Sequence, residues 1–430
     1  MKLKRINQGT DRVFYGWIAI SGAALVLIVN TGVFFYSYGV FLPAMCAEFG
    51  WSRAEVAAGL SIALLAYGLP SPIIGASVAR FGPRINMVLG NLLAAVAMAG
   101  MFLIQEVWHL YLLYGLVGLG SGFGQYIAST TVANNWFMKK RSLAMGIVSA
   151  SSGVSGFIFP PIITVLISSF GWRMSWLVLA VILIIGASLI GGLVLVRNRP
   201  EDMGQAPDGT YVESYEVDAL EGSLSGTDRR LMEWPVKRAL REPTTWFITA
   251  FVMANLFAWG TMFAHQVAYV EESGFSPMIA AMTLSTVSGM SVIGRMGFGA
   301  LALRYNVRRL AAAGFIIQFV SLGIIITTKE LTLIYVYAGL FGLGSGALLT
   351  ALPTIIGVYF GRANYAMIMG VIWALGIAAE AAGSTVTGII YDAVATYTPA
   401  FALLAVFSLV GLICASLARQ PGLPRLQAEQ

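Results

Sequence analysis

The chain has 430 residues, of which 58% are hydrophobic and 11% charged, with a formal net charge of +6. Soluble domains carry about 25% charged residues, so the composition excludes an ordinary water-exposed globule and requires a bilayer as outer solvent. Two cysteines, Cys46 and Cys414, make neither a disulfide framework nor a zinc site, and the small net charge does not point to nucleic acid.

The polar, basic stretch 1–12 leads into an apolar segment that is too long for a signal-peptide core and lacks a small-residue cleavage site, so a retained first helix is expected. Apolar stretches near or above 18 residues predict spanning helices. They fall at 16–43, 54–78, 85–104, 108–135, 142–168 and 173–196. A polar segment follows at 197–243. It opens Arg197-Asn198-Arg199-Pro200-Glu201-Asp202, continues Gly/Ser/Asp-rich and ends in the basic amphipathic piece Trp234–Arg241. Partial disorder is expected there, with the basic end against the membrane surface. The second set lies at 244–271, 277–303, 309–327, 331–359, 365–390 and 397–418. The expectation is an all-α polytopic membrane protein of twelve helices: a six-helix bundle over 1–196, a linker over 197–243 and a six-helix bundle over 244–430.

Basic residues orient these spans. With the N-terminus inside, 22 of the 26 Lys and Arg fall on the cytoplasmic side. Three (Arg53, Arg173 and Lys329) fall outside, and Arg295 lies within a span. That asymmetry predicts both termini in the cytoplasm.

The sequence also repeats at an offset of 224. Gly118, Gly120, Ser121 and Gly122 fall on Gly342, Gly344, Ser345 and Gly346; Met145-Gly146 falls on Met369-Gly370; Gly75, Arg80 and Arg84 fall on Gly299, Arg304 and Arg308. One register held across about 70 residues predicts two related halves with a cavity between them. The plainer role of the glycines is close helix packing in lipid.

The loop after the second span reads Gly75-Ala76-Ser77-Val78-Ala79-Arg80-Phe81-Gly82-Pro83-Arg84, which resembles the loop signature of the major facilitator superfamily. Ala79 stands where that family usually has Asp, and the second copy, Gly299 to Arg308, also lacks the acid. The run Trp136-Phe137-Met138-Lys139-Lys140-Arg141-Ser142-Leu143-Ala144-Met145-Gly146 and the Ser/Gly-rich stretch 149–156 are similar to the monocarboxylate-transporter and oxalate/formate-antiporter branch. In that branch an arginine of the eighth helix is associated with the substrate carboxylate, and Arg295 fits the position. The acid often found one turn earlier is Ser291 here. A lysine that accompanies the arginine in oxalate exchangers is absent from Trp373-Ala374-Leu375-Gly376.

Charge inside a bilayer is expensive, by about 2.5–3.5 kcal/mol on insertion scales. Arg295 and Glu380 are the deep charges, and His265 is a third ionisable group. Arg295, about 12 Å from its helix end at 1.5 Å per residue, is a planar donor fork suited to a carboxylate; a structural pair with Glu380 is the competing role. Its repeat partner is Ser71. Glu380 and His265 are candidates for proton coupling, and His265 also for substrate contact or gating. Tyr126, Ser149 and Trp373 lie at similar depth to Arg295 and are candidate walls of a site, with Asn30, Tyr36 and Tyr38 from the first span. Gly75, Arg80, Gly82, Arg84, Arg304 and Arg308 are the candidate conformational loop residues.

No nucleotide-binding loop occurs, no metal or cofactor site is visible, and one Arg, one Glu and one His make no catalytic set. The expectation is a secondary transporter of small monocarboxylates of the lactate or pyruvate kind, proton-coupled, using alternating access as a monomer in a bacterial inner membrane. The alternatives are an organic-anion exchanger of the oxalate/formate type or a carrier of another small organic solute.

Overall fold

The computed structural model describes residues 14–209 and 234–422. The basic residues of 1–12, Arg229, Arg230 and Arg425, and the disorder expected of the middle linker, lie outside the described residues. All regular structure among the described residues is helical.

Among the described residues, nine helices are long and apolar enough to cross a membrane, and a tenth crossing is a pair bent by 46°, Glu55–Gly68 with Ser71–Phe81. One of the nine, Arg141–Leu195, breaks at Gly171, where φ is +76° and ψ 161°; glycine alone adopts this conformation without strain. It therefore holds two spans. A further helix, Val107–Gly124, breaks at Gln125 and resumes as Tyr126–Trp136. Twelve spans result: α1 Gly16–Phe49, α2 Arg53–Phe81, α3 Pro83–Leu103, α4 Val107–Trp136, α5 141–170, α6 172–195, α7 Pro243–Glu272, α8 Pro277–Leu301, α9 Val307–Thr327, α10 Leu331–Phe360, α11 Tyr365–Val394 and α12 Thr398–Leu417. The long apolar runs become helices because lipid offers backbone groups no other partner. Their starts carry ordinary signals: a Ser52–Glu55 capping box on α2, Ser276 capping α8 and Asn306 capping α9. The first span runs past the end expected at residue 43, through a turn at residues 35–37, to Phe49 with Pro43 inside.

The helices form two six-helix bundles with the same internal pairing. In the first, α2 and α3 pack on α4, and α6 on α1 and α3; in the second, α8 and α9 pack on α10, and α12 on α7 and α9. The 224-residue offset persists at atomic detail. A Cβ added to Gly118 would lie 2.1 Å from the Ala63 carbonyl oxygen, and one on Gly342 would lie 2.3 Å from that of Val287. Gly122 meets Tyr67 and Gly346 meets Ser291 in the same way, at 2.8 and 2.3 Å. Each contacted residue is also 224 positions from its counterpart. The glycines let helix backbones touch, and larger residues would force them apart.

Between the bundles, α2 packs on α11 and α5 on α8. Their backbone approaches are paired by the same offset: Gly75 to the Ala366 carbonyl with Gly299 to that of Ser142, and Gly370 to that of Ser71 with Gly146 to that of Arg295. All four lie toward the end that carries Arg80, Lys139–Arg141, Arg304 and Arg362, here called the basic end. At that end Asn134 donates to the Gly361 carbonyl at 3.2 Å, and Arg141 donates to that of Gly357. Further from it, the halves meet through side chains, such as Gly153 against Val292 and Gly68 against Ile377.

The described start of the linker is stitched to this end. Trp136 Nε1 donates to the Arg197 carbonyl and Asn135 to that of Asn198. Asp208 accepts the backbone N–H groups of Met138, Lys139 and Lys140 at 2.7–3.1 Å. Glu201 pairs with Arg362 of the second bundle at 3.0 Å.

Candidate functional site

Arg295 sits on α8 where α5 crosses it. Gly146 allows the crossing, since its missing side chain would stand 3.0 Å from the Arg295 carbonyl oxygen. The guanidinium is buried and faces the first bundle: Nη1 donates to the Ser149 carbonyl at 2.8 Å and to Ser152 Oγ at 2.5 Å. Its buried Nε has no partner. A guanidinium offers five N–H donors, so most of this donor fork is unused by protein groups. Among the described residues it pairs with no carboxylate. A buried cation without a counter-ion costs several kcal/mol, and a bound anion would offset that cost.

The break in α4 at Gln125 places Tyr126 beside this cation. Gln125 donates to Thr31, and Tyr126 starts the second segment of α4. The Tyr126 ring stacks on Trp373 with centroids 4.3 Å apart and planes at 21°, and its hydroxyl donates to the Leu349 carbonyl at 3.0 Å. Aromatic stacking and a hydrogen bond therefore cross between the bundles at Tyr126. Tyr126 and Tyr36 are the titratable groups that feel the Arg295 charge.

Glu380 lies two turns along α11 from Trp373, on the same helix face. The exposed positions Ala378, Ala382, Thr385 and Ile389 occupy the opposite face, so Glu380 points inward, between the bundles. It is half-buried, and no hydrogen bond or ion pair engages its carboxylate among the described residues. Its backbone and side chain pack against Gly260 of α7, and its charge reaches Tyr67 of α2. It does not pair with Arg295.

Arg295, Tyr126, Ser149 and Trp373 thus come together. Asn30 and His265 are placed elsewhere. Asn30 donates to Asn91 at 2.7 Å inside the first bundle, and Asn91 in turn holds the Gly124 carbonyl next to the α4 break. His265 Nε2 lies 2.9 Å from the Ser384 carbonyl, with its ring 5.6 Å from Tyr397, far from the basic end. The sequence reading passed over Ser152 and Tyr67. Helical spacing from Ser149 would have flagged Ser152; nothing local marks Tyr67.

The loop residues hold the basic end. Gly82 has φ +84°, and a Cβ there would collide with the Asn198 side chain; Asn198 accepts the Arg84 N–H at 3.0 Å. The Arg84 guanidinium caps α6 through the Leu193 carbonyl at 2.7 Å. Arg80 lies over the Phe81 ring at 5.1 Å. In the second copy Asn306 replaces Gly82 and caps Arg308 through its backbone N–H, while Arg304 closes the last turn of α8 through a backbone bond to Leu301. Since Ala79 is no acid, the carboxylate that reaches the second bundle is Glu201. Burial pushes its carboxyl up, but hydrogen bonding and charge from Arg362 outweigh this and hold it below the usual carboxylate range. Among the described residues no cluster of three metal-ligating side chains occurs.

Known proteins share the sequence pattern and the fold. The sequence pattern of the family described as Major Facilitator Superfamily matches residues 23–329 and 268–430. Monocarboxylate transporter 13 of Rattus norvegicus is 26% identical over 400 residues, covering 92% of this chain and 87% of that protein. Monocarboxylate transporter 12 of Homo sapiens is 24% identical over 417 residues, covering 92% and 78%. Among solved structures, the transporter FucP in its outward conformation superposes with a TM-score of 0.68 at 14% identity, covering 93% of this chain and 99% of that one.

Proposed function

The chain belongs to the Major Facilitator Superfamily, a family of membrane transporters, and from that premise we propose that it carries small monocarboxylates of the lactate or pyruvate kind by proton-coupled alternating access. The observation that carries this reading is Arg295: a buried guanidinium between the bundles, with unused donors and, among the described residues, no carboxylate partner. A single cation suits a monoanion, which supplies the missing counter-charge through two parallel hydrogen bonds. The names of the relatives, monocarboxylate transporters, support the same class of cargo.

Rocking of the two bundles about this level would move the bound anion from one side to the other. The glycine-lined contacts near the basic end are the surfaces that would part. Glu380, inward-facing and unpaired among the described residues, is the coupling candidate; His265, engaged by the Ser384 carbonyl, is the second. An anion and a proton moving together cross without net charge. The basic end faces the cytoplasm in this reading, by the distribution of Lys and Arg, and one chain suffices for the cycle.

Uptake by proteoliposomes, with labelled lactate, pyruvate and other monocarboxylates, tests the reading directly. Accumulation driven by an inward proton gradient supports symport. Counterflow that persists unchanged without the gradient favours the exchanger instead.

A further inference from the structure

The C-terminal ends of α4 and α10 are counterparts at the 224 offset, and they are finished differently. In the first bundle the Ala133 carbonyl accepts the Phe137 N–H at 3.2 Å, and the Phe137 carbonyl accepts Arg141 Nε at 3.2 Å. Both donors belong to that bundle. The matching carbonyls of the second bundle are those of Gly357 and Gly361. Gly361 has φ +79° and ψ −153°, and among the described residues no following backbone N–H turns back onto the end of α10. The common glycine closures of a helix are therefore absent. The donors come instead from the other bundle: Arg141 Nη1 to the Gly357 carbonyl, and Asn134 to that of Gly361 at 3.2 Å. One buried guanidinium thus holds the ends of α4 and α10 together, and both ends present partial negative charge to it. Gly357 makes the room. A Cβ there would lie 2.5 Å from Asn134 Oδ1 and 2.8 Å from Arg141 Cδ, whereas its counterpart is Ala133. The counterpart of Arg141 is the neutral Tyr365, so the device is built once.

We propose that Arg141 is the positioning residue that selects the closed basic end, by capping α10 from the opposite bundle with Asn134 as its second arm, and that parting of the bundles uncaps α10 and frays its last turn. This rests on the alternating-access reading above and assigns its latch. The two bonds to α10 cross between the bundles, so both break when the basic end opens. The bond from Arg141 Nε to Phe137 lies within the first bundle and survives. The cation therefore stays with α4, and the loss falls on α10. An unpaired carbonyl at a helix end must find water or let the turn unwind. Closing restores a charge-assisted bond, the stronger kind. Because these bonds exist in one state only, they bias the equilibrium between the two.

The test uses the full chain without substrate. Thr131 is buried and lines a cavity at the basic end beside Arg362 and Ala366 of the second bundle. In a Cys46→Ser, Cys414→Ser background, alkylation of Thr131→Cys reports opening, and amide exchange reports local fraying. Arg141→Gln is expected to speed alkylation by about 10-fold or more, the loss of a charge-assisted bond, and to raise exchange at residues 358–361. Asn134→Ala, which leaves the cation in place, raises exchange at 358–361 but not at 135–137. Arg141→Lys keeps the charge without the fork and falls between wild type and Arg141→Gln. Alkylation and exchange at wild-type rates in Arg141→Gln overturn the proposal. So does exchange raised throughout both bundles in Asn134→Ala and Arg141→Lys, which would make these residues plain folding contacts. No cargo enters these measurements, so absence of carboxylate uptake would sink the substrate reading while the latch stands or falls on its own readouts.

Discussion

Arg295 and Ser71 are structural equivalents: the carbonyl of Arg295 receives the bare face of Gly146 as the carbonyl of Ser71 receives that of Gly370. The backbone is the same on both sides of the pseudo-twofold, and the side chains differ by a full positive charge. A transporter built from matched halves thereby holds its cation on one half alone. Ser149 and Ser152 of the other half receive it.

Removing that charge has opposite effects on stability and function. Because Arg295 is buried with no counter-ion among the described residues, Arg295→Met is expected to raise the thermal midpoint of the purified protein by about 2 °C or more, while uptake falls to background. A lowered midpoint with uptake retained would show the guanidinium to be structural.

The glycine contacts between the bundles predict a conformational defect without a binding defect. A Cβ at Gly370 would lie 2.2 Å from the Ser71 carbonyl oxygen. Gly370→Leu is therefore expected to keep the basic end from closing. Cysteine labels placed beside Arg362 become more reactive, and transport slows at least about 10-fold, the bundles being unable to interdigitate at native packing density.

The Glu201–Arg362 pair predicts a pH dependence. The carboxyl is held below its ordinary value, near 4.3, so the stabilisation is present above that range and is lost as pH falls through the lowered value. The side chains are partly exposed, 26% for Arg362 and 52% for Glu201, which limits the effect to about 1 kcal/mol or less. Wild type and Glu201→Gln should differ in midpoint at pH 7 and converge as pH falls below the ordinary carboxylate range; a difference that stays constant on acidification contradicts the assignment.

Asp208 gathers three consecutive backbone N–H groups at the start of α5. Charge-assisted bonds of this kind contribute more than neutral ones. Asp208→Ala should speed amide exchange at residues 138–140 by about 10-fold or more while leaving α8 protected.

The helices were legible because lipid makes every span a long apolar run, and eleven of the twelve run essentially where the hydropathy placed them. The break at Gln125 was not, because a helix interruption paid for by one side-chain contact to Thr31 leaves no mark in composition. Arg295, Tyr126, Ser149 and Trp373 were legible from depth along their helices and from the repeat. Asn30 and His265 were named by polarity in an apolar run, and polarity does not say which way a side chain faces; both point into their own bundle. Glu201 and Asp208 were read as part of a solvated linker. Their partners, Arg362 and the N–H groups of 138–140, are distant in sequence, so only the folded chain joins them.

The central claim is that Arg295 binds a substrate carboxylate, and proteoliposome uptake of labelled monocarboxylates by wild type and Arg295→Lys tests it most directly. The lysine keeps the charge and loses the planar fork, so the apparent KM should rise at least 10-fold for every carboxylate transported. Unchanged kinetics in Arg295→Lys, together with full uptake in Arg295→Met, would contradict the account.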